Sequence, residues 1–552
     1  MKISRIRTLT AFAALAALCA CGGGGGAIPG PISGNVPARE RVHDAGSILS
    51  SIVGVGDSLT AGYQSDGFLG ETGVHAVVGS QTYPVPPNQV TGWWADLYEQ
   101  ASGKPLDEAI SQMFDPSTSP LPLIAGPGLN NQIISAPGTG FPIAEQKSGD
   151  VCTDNNDFNE DAYRLSGLSR VRLDPASPNI RDVGIPGLTL HEALTLHQPQ
   201  TNTCKELPGI PGLLSVVVAD ESGTFWPVLG NFTKLGYNLT DVNAAASRHP
   251  TLATVWLGAN DVLKYMGSGG RFVGGDRNAS QAASDLRASI SAMQRAGAKV
   301  VVANLPDILQ AGYFERVTVP TTKKLCQFHS YVMCLFSLAG TPQFALQEIV
   351  KKYKLAAPGC VPASTTKPCG YLTLPGVIAV IQVFGYTGKV PNLDCNVPAP
   401  GCKGAPGNGL GQNYITPEFA GKVQALNTAI NQGIDDAANG AHVPLVDVHA
   451  IFAGLASANP ANPYFALAAS INPKGPCCTL GYLYGITSFD GLHPSNTGYA
   501  LIAYEFINAI NKTYGTKIPQ IDVTAVYDGS RCSTKKYCFH DPYAPPYDLR
   551  PL

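Results

Sequence analysis

The chain has 552 residues, which is long enough for a large folded core with extended loops. Hydrophobic residues make up 44% of the sequence and charged residues only 14%, and this balance excludes an intrinsically disordered protein. A formal net charge of −3 does not indicate a nucleic-acid-binding protein, which would need a strongly basic surface.

The N-terminus has the features of an export signal. Lys2, Arg5 and Arg7 precede an apolar segment over residues 9–18, which is too short to span a bilayer as a helix. The letters LCAC that close this segment resemble the lipobox of bacterial lipoproteins. The resemblance implies that Cys21 becomes the first mature residue and carries lipid, whereas a plain signal peptide would leave no anchor. We therefore expect an exported protein, lipid-anchored to the bacterial cell envelope. In a Gram-negative cell, the lack of aspartate directly after Cys21 resembles outer-membrane lipoproteins, with the domain facing either the periplasm or the outside.

The composition along the chain predicts one large folded domain between shorter flanking segments. Residues 1–20 form the predicted signal, residues 21–45 a tether rich in glycine and proline, and residues 521–552 a tail expected to pack on the surface. The domain over 46–520 contains stretches rich in proline, glycine and cysteine. They are too long for ordinary connections, so we expect insertions. They cover about residues 105–180, 200–245, 315–405 and 456–480.

Short apolar runs alternate with helical patterns within this domain. The runs are rich in β-branched residues, as expected for strands buried on both faces. They are Ile52–Val55, Thr254–Leu257, Lys299–Ala303 and Val443–Val448. Helical patterns over residues 283–296 and 416–438 precede the last two runs. Alternating strands and helices predict an α/β fold with a parallel sheet covered by helices on both sides.

The cysteines indicate disulfide bonds formed in an oxidising compartment. The chain has 14 cysteines. Without Cys19 and Cys21 of the signal region, 12 remain, an even number that can all pair. Four pairs lie close in sequence, at positions 326/334, 360/369, 395/402 and 532/538. Cys152 and Cys204 would then close a longer loop, the adjacent Cys477 and Cys478 would remain, and other pairings stay open. The chain has no CxxC pair, which disfavours a zinc site made of cysteines.

Four motifs lie where the predicted strands end or the predicted helices begin. The letters GDSL at residues 56–59 follow the first strand, and WLGAND at 256–261 overlaps the end of the second. A glycine-rich turn, DVGIPGLT, covers residues 182–189, and FDGLHP covers 489–494. Because the carboxyl ends of parallel strands meet at one edge of a sheet, we expect these motifs to gather there, where α/β folds bind ligands.

The residue types in these motifs fit nucleophilic catalysis by a serine. The hydroxyl of Ser58 needs a base, which His493 provides, and the imidazole needs an orienting carboxylate, which Asp490 provides. The oxyanion that forms needs preorganised donors. The side-chain amide of Asn260 and the backbone N–H groups of Gly187 and Ser58 are the predicted oxyanion hole. The alternative is four unrelated turns, in which Ser58 caps a helix and His493 lies on the surface.

The four motifs, in this order, resemble the GDSL or SGNH family of serine hydrolases. The letters of the second name correspond to Ser58, Gly187, Asn260 and His493, and the resemblance covers residues 50–515 apart from the insertions. It implies a flavodoxin-like three-layer α/β/α sandwich, here with large disulfide-rich loop insertions. It also implies hydrolysis of carboxylic esters through an acyl-enzyme, with no metal and no organic cofactor.

The glycine-rich turn departs from the family pattern. Asp182 stands where the family often has asparagine, and both Gly184 and Gly187 are available as oxyanion donors. We prefer Gly187, because its spacing to Thr189 resembles that of the family.

Several related activities fit the same residues. An acyltransferase would deliver the acyl group to an alcohol, and a carbohydrate O-deacetylase would prefer acetyl esters; a non-catalytic surface-binding lipoprotein is the alternative of a different class. The expected partners are an ester substrate and the membrane, the latter through the lipid on Cys21, with no nucleic acid and no obligate protein partner. The apolar run over 374–384 predicts either the core of an insertion or a wall for an acyl chain.

Two further patterns resemble metal sites, but neither predicts one. His191 and His197 are six residues apart, so a helix turns them to different faces and they do not share a metal. The polar stretch over 154–161 has Phe158 where a calcium loop needs an oxygen ligand. We therefore expect no metal ion in this protein.

Overall fold

A computed structural model describes most of the predicted domain. The described residues are 48–64, 75–78, 81–84, 88–123, 133–135, 142–144, 177, 179–196, 228, 239–267, 269–270, 272, 274–317, 343–355, 357, 359–361, 364–374, 376–377, 380, 389, 392–393, 413–457, 459, 461–471, 486–488, 490–533, 538 and 540–541. The predicted signal, Cys21 and the tether lie outside the described residues, as do large parts of the four predicted insertions.

The chain alternates strands and helices. The strands are β1 (Ile52–Gly56), β2 (His75–Val78), β3 (Gln81–Pro84), β4 (Ile133–Ser135), β5 (Pro142–Ala144), β6 (Leu252–Trp256), β7 (Lys299–Ala303), β8 (Phe314–Val317), β9 (Gly370–Thr373), β10 (Tyr414–Ile415) and β11 (Leu445–Val446). The helices are α1 (Trp93–Ala101), α2 (Leu106–Met113), α3 (Glu192–Thr195), α4 (Asp241–Ala246), α5 (Ala259–Gly267), α6 (Ala279–Arg295), α7 (Gln343–Lys352), α8 (Pro417–Ala441), α9 (Val448–Ala456), α10 (Pro463–Ile471), α11 (Asn496–Tyr514) and α12 (Val523–Asp528). None of these helices is long and apolar enough to cross a membrane.

A parallel sheet of four strands forms the centre of the fold, in the order β1-β6-β7-β11. Every residue of β1 and β6 is buried, which explains why their sequences are almost continuously apolar. The predicted α/β fold with a parallel sheet is confirmed. The prediction for the last strand was too long, because Asp447 ends it by accepting a hydrogen bond from the N–H of Ala450 at the start of α9.

A fifth extended segment lies beside β1, on the edge away from β6. The N–H of Gly54 donates to the carbonyl of Arg181, and the N–H groups of Val183 and Ile185 donate to the carbonyls of Gly54 and Gly56. Residues 181–185 therefore continue the sheet in parallel, and the sequence analysis was wrong to describe them only as a turn. Asp182 and Gly184 disfavour a strand, and Pro186 and Gly187 end it, so a propensity-based prediction does not find it.

Helices cover both faces of the sheet. Trp93 of α1 stacks on Phe506 of α11 at a ring separation of 4.1 Å, and its edge meets Trp256 of β6 at 5.8 Å. Right-handed crossovers in a sheet of this order place α6 and α8 on the opposite face. The two predicted helices are confirmed as α6 and α8, and α6 begins four residues earlier than predicted because Asn278 caps it.

Two disulfides occur among the described residues, Cys360–Cys369 and Cys532–Cys538. Both are pairs that lie close in sequence, as predicted. The other cysteines of the predicted pairs lie outside the described residues, so the disulfide-rich character of the insertions stays a prediction.

The tail is anchored in the fold and does not merely cover the surface. Arg531 is buried between the carboxylates of Asp96 and Glu99 on α1, with 2.8 Å between its Nη2 and an oxygen of Glu99. The carboxylate of Asp541, also fully buried, accepts a hydrogen bond of 2.7 Å from the N–H of Thr497 in the first turn of α11. These contacts fix how the tail packs on the domain, and local composition carries no signal for them because they join elements that are distant in the sequence.

Gly433 allows α8 to approach α6 closely, and we expect Gly433→Ala to destabilise the protein. A Cβ at this position would lie 2.6 Å from the Cβ of Ala282 and 2.5 Å from the carbonyl oxygen of Ala279. We expect the free energy of unfolding, measured with urea, to fall by about 1–3 kcal/mol.

Gly440→Ala is the matched control on the same helix, because the nearest atom to its Cβ would be 3.6 Å away. This substitution should raise the stability by up to about 1 kcal/mol, since alanine favours a helix over glycine. Equal effects of the two substitutions would contradict the close contact between α6 and α8.

Candidate active site

Ser58 lies in a tight turn directly after β1. The carbonyl of Asp57 accepts hydrogen bonds from the N–H groups of Thr60 and Ala61, so the chain folds back as soon as the strand ends. The side chain of Ser58 is nearly buried, with 8% of the residue exposed. The strand and the turn together hold its hydroxyl at the carboxyl edge of the sheet.

A second loop, over residues 486–495, brings two titratable side chains to the same edge. Thr487 pairs with Pro494 across the loop, and Ser495 closes it and caps α11. Gly491 at its tip has φ of +74°, and a Cβ there would lie 2.9 Å from the backbone nitrogen of Tyr313. Glycine therefore satisfies both the left-handed backbone and the close approach.

The structure brings Ser58, His493 and Asp490 into one chain of hydrogen bonds. The Nε2 of His493 is 2.8 Å from the Oγ of Ser58, although the residues are 435 positions apart. The Nδ1 of the same ring is 2.8 Å from the Oδ2 of Asp490. Nucleophile, base and orienting carboxylate thus have the mutual geometry that nucleophilic catalysis requires.

Asp490 is buried but remains suited to carry a negative charge. Its Oδ1 accepts hydrogen bonds of 2.8 Å from the N–H groups of both Leu492 and His493. Burial raises the pKa of Asp490, but the adjacent His493 ring and these hydrogen bonds outweigh the desolvation and hold the pKa below its ordinary value. The ionised carboxylate fixes the orientation of the imidazole and stabilises its protonated form.

Asn260 connects the turn of Ser58 to the glycine-rich segment. It lies in the first turn of α5, and its Nδ2 donates to the Oδ2 of Asp57 and to the carbonyl of Leu188, each at 3.1 Å. These contacts place the amide between residues 57 and 188, and Gly187 directly precedes Leu188. Asn260 is therefore hydrogen-bonded to the residues next to Ser58 and Gly187, the other two predicted oxyanion donors.

The two glycines of the glycine-rich segment have different surroundings. A Cβ on Gly184 would lie 2.5 Å from the nitrogen of Ala61, so this glycine packs against the turn that follows Ser58. Gly187 has φ of +85°, and a Cβ there would meet no atom of the described residues within 4 Å. Open space beside Gly187 makes it the better suited of the two to face a substrate.

Sequence reasoning gave Asp57 no role, although it directly precedes Ser58 in the GDSL letters. Asp57 is buried beside Asp182 and Asp241, which are also buried. Burial raises its pKa to about 7, because the hydrogen bonds from Leu59 and Asn260 and the charge of His493 offset only part of the desolvation. Its carboxyl positions the Asn260 amide, so Asp57 acts on the site through Asn260.

The remaining sequence predictions lie partly outside the described residues. Residues 154–161 and His197 are not described, and α3, which follows His191, is only one turn long. Leu374, Val377 and Val380 of the apolar run are buried in the hydrophobic core. This burial favours the interpretation of the run as core over that of an acyl-chain wall.

Comparisons of the chain with family models, with curated proteins and with solved structures found no match. The resemblance to GDSL hydrolases therefore depends on the four motifs and on where they lie in the fold.

The raised pKa of Asp57 predicts a distinct pH dependence of stability. An aspartate ionises near pH 4 when the chain unfolds, but in the folded protein Asp57 holds its proton to about pH 7. The folded state therefore binds more protons between these values, so stability falls as pH rises through this window. Asp57→Asn should remove this contribution, and the stability of the variant relative to the wild type should rise by up to about 1.4 kcal/mol per pH unit.

Urea unfolding at pH values from 4 to 8 measures this difference. The value at pH 4 is the reference point, because Asp57 is protonated in the folded state there and only about half ionised in the unfolded chain, so most of the difference develops above this pH. Parallel curves for wild type and variant across the window would contradict a buried carboxyl with a raised pKa.

Proposed function

We propose that the protein is a serine hydrolase of carboxylic esters. The observation that carries the proposal is the continuous chain of hydrogen bonds from Ser58 through His493 to Asp490. Because the contact between Ser58 and His493 joins side chains 435 positions apart in the sequence, their arrangement by chance is a poor explanation. The intact set also argues against a non-catalytic binding protein.

In this mechanism His493 moves the protons. Its Nε2 takes the proton of the Ser58 hydroxyl while the Oγ attacks the ester carbonyl, and Asp490 stabilises the resulting imidazolium. The tetrahedral intermediate then collapses, and His493 gives the proton to the leaving alcohol. A water molecule, deprotonated by His493, attacks the acyl-enzyme, and the acid is released with Ser58 restored.

The developing oxyanion is bound by the backbone N–H groups of Ser58 and Gly187 and by the amide of Asn260. The two hydrogens of that amide already have acceptors in Asp57 and Leu188. The oxyanion therefore accepts a shared hydrogen bond from one of these two hydrogens. Each such donor contributes about 2.7–4 kcal/mol to transition-state stabilisation.

The topology supports a more specific fold assignment. With residues 181–185 included, the sheet has the spatial order 181–185, β1, β6, β7, β11. Numbered by their sequence within this sheet, these strands have the order 2-1-3-4-5, which is the flavodoxin-like order. We propose that the domain is a flavodoxin-like α/β/α sandwich of the GDSL or SGNH hydrolase type. The ester site then lies at the carboxyl ends of the strands, where this fold binds ligands.

Acyl transfer and removal of acetyl groups from carbohydrates use the same residues and differ in the acceptor or the acyl chain. The described residues provide no contact that favours either, so hydrolysis of carboxylic esters is the function we propose. We also propose that the mature protein is anchored through lipid on Cys21.

Ser58→Ala should abolish ester hydrolysis. Removal of the nucleophile leaves only binding and oxyanion stabilisation, so we expect activity on p-nitrophenyl esters to fall at least about 1,000-fold. Esters from acetyl to palmitoyl define the acyl preference, and assays with an added alcohol detect transfer. Asn260→Ala should lower kcat by about 100- to 1,000-fold.

Ser111→Ala, on α2, is the matched control and should keep full activity. Circular dichroism verifies that each variant is folded. Unchanged hydrolysis by a folded Ser58→Ala variant would refute the mechanism.

The lipid anchor is tested in bacteria that export the full chain. Metabolic labelling with an alkyne fatty acid should mark the wild type, and Cys21→Ser should lose the label and leave the membrane fraction. Cys19→Ser is the control and should keep the label, because only the first mature residue is modified. Retained labelling of the Cys21 variant would contradict the assignment.

A further inference from the structure

A cluster of one histidine and two aspartates lies outside the proposed ester site. His191 directly precedes α3, Asp285 lies on α6, and Asp276 precedes α6. The Nδ1 of His191 is 2.8 Å from the Oδ2 of Asp285. One potential ligand atom from each of the three side chains lies within 4.8 Å of the other two.

Asp276 is the unusual member of this cluster. The residue is 3% exposed, and its Oδ2 is buried without a hydrogen-bond partner among the described residues. Its carboxyl lies against that of Asp285, so a second carboxylate faces this buried group. Within the described part of the chain no lysine or arginine forms an ion pair with Asp276, and the nearby Lys264 is 2.9 Å from Glu192 instead.

We propose that His191, Asp276 and Asp285 bind a divalent transition-metal cation, with zinc as the best match. Two carboxylates that face each other, one of them buried, are stabilised by a cation or a proton between them. One imidazole nitrogen with two carboxylate oxygens suits zinc, whereas calcium prefers oxygen ligands alone.

The geometry requires only small side-chain movements. Zinc with bonds of about 2.0–2.1 Å holds its tetrahedral ligand atoms about 3.3–3.4 Å apart. The 2.8 Å contact of His191 with Asp285 would open slightly, and the longest separation in the cluster would close. The three protein ligands leave a fourth position for water.

The surroundings give the cluster both access and support. The side chains of His191 and Asp285 are 49% and 20% exposed, so a cation reaches them from solvent. The N–H of Asp276 donates to the carboxylate of Asp261, which also accepts a hydrogen bond of 3.0 Å from the N–H of Leu190. The cation would thus stabilise the segment that follows Gly187, through ligands and their hydrogen-bond partners.

Zinc binding by the full-length chain tests the proposal without any assay of activity. The protein is freed of metal with a chelator, titrated with zinc chloride by calorimetry, and analysed for bound zinc by mass spectrometry. We expect one zinc per chain, and we expect His191→Ala and Asp276→Asn each to weaken binding at least about 100-fold. His449→Ala and Asp436→Asn, which change exposed residues elsewhere, are the matched controls and should bind as the wild type does.

Thermal unfolding separates loss of the site from loss of the fold. Zinc should raise the Tm of the wild type and not that of Asp276→Asn. Without metal, Asp276→Asn should melt at or above the Tm of the wild type, because the substitution removes one of the two facing carboxyl groups. Absence of saturable zinc binding would overturn the proposal and indicate a shared proton between the aspartates. Binding of calcium alone, or wild-type zinc binding by both cluster variants, would overturn it as well.

Discussion

Parallel pairing of β1 with β6 on one side and with residues 181–185 on the other decides where the groups of the site lie. Gly56 pairs with Trp256, and the N–H of Ile185 donates to the carbonyl of Gly56, so the three strands end side by side at the same edge of the sheet. Residues that follow each end then meet: the turn of Ser58, the first turn of α5 and the glycine-rich segment. A shift of register by one residue would separate them, because the side chains of a strand alternate between its faces.

Buried charge is the second feature that shapes this edge of the sheet. Asp490 keeps its charge because two backbone N–H groups and an imidazole face it. Asp57 accepts fewer hydrogen bonds than Asp490, so burial raises its pKa. The neutral carboxyl can then lie beside Asn260 with a smaller desolvation penalty than a charged one. Far from the site, Arg531 lies between Asp96 and Glu99 and joins the tail to α1. Removing one partner from such a buried group leaves an uncompensated charge, so these contacts strongly constrain the fold.

The sequence predicted best where the pattern was local and regular. The strand Lys299–Ala303 was predicted with its observed bounds, and the helices α6 and α8 with small errors at their ends. It failed for residues 181–185, where Asp182 and Gly184 weaken the pattern of a strand, and it gave no signal for the ion pairs of the tail, which join residues hundreds of positions apart. The histidine at position 191 is a similar case. The local sequence offers only His197 as a partner for His191, whereas folding brings Asp276 and Asp285 to it.

The sequence by itself determined the α/β class, the order of the motifs and the residue types that serine chemistry needs, because these depend on local periodicity and on the functional groups of single side chains. Only the tertiary structure decided which groups meet. It placed the Nε2 of His493 at the Oγ of Ser58, turned the amide of Asn260 towards Asp57, and left the space beside Gly187 open. The physical reason is that contacts between distant residues follow from strand register, helix packing and burial, which are properties of the whole chain.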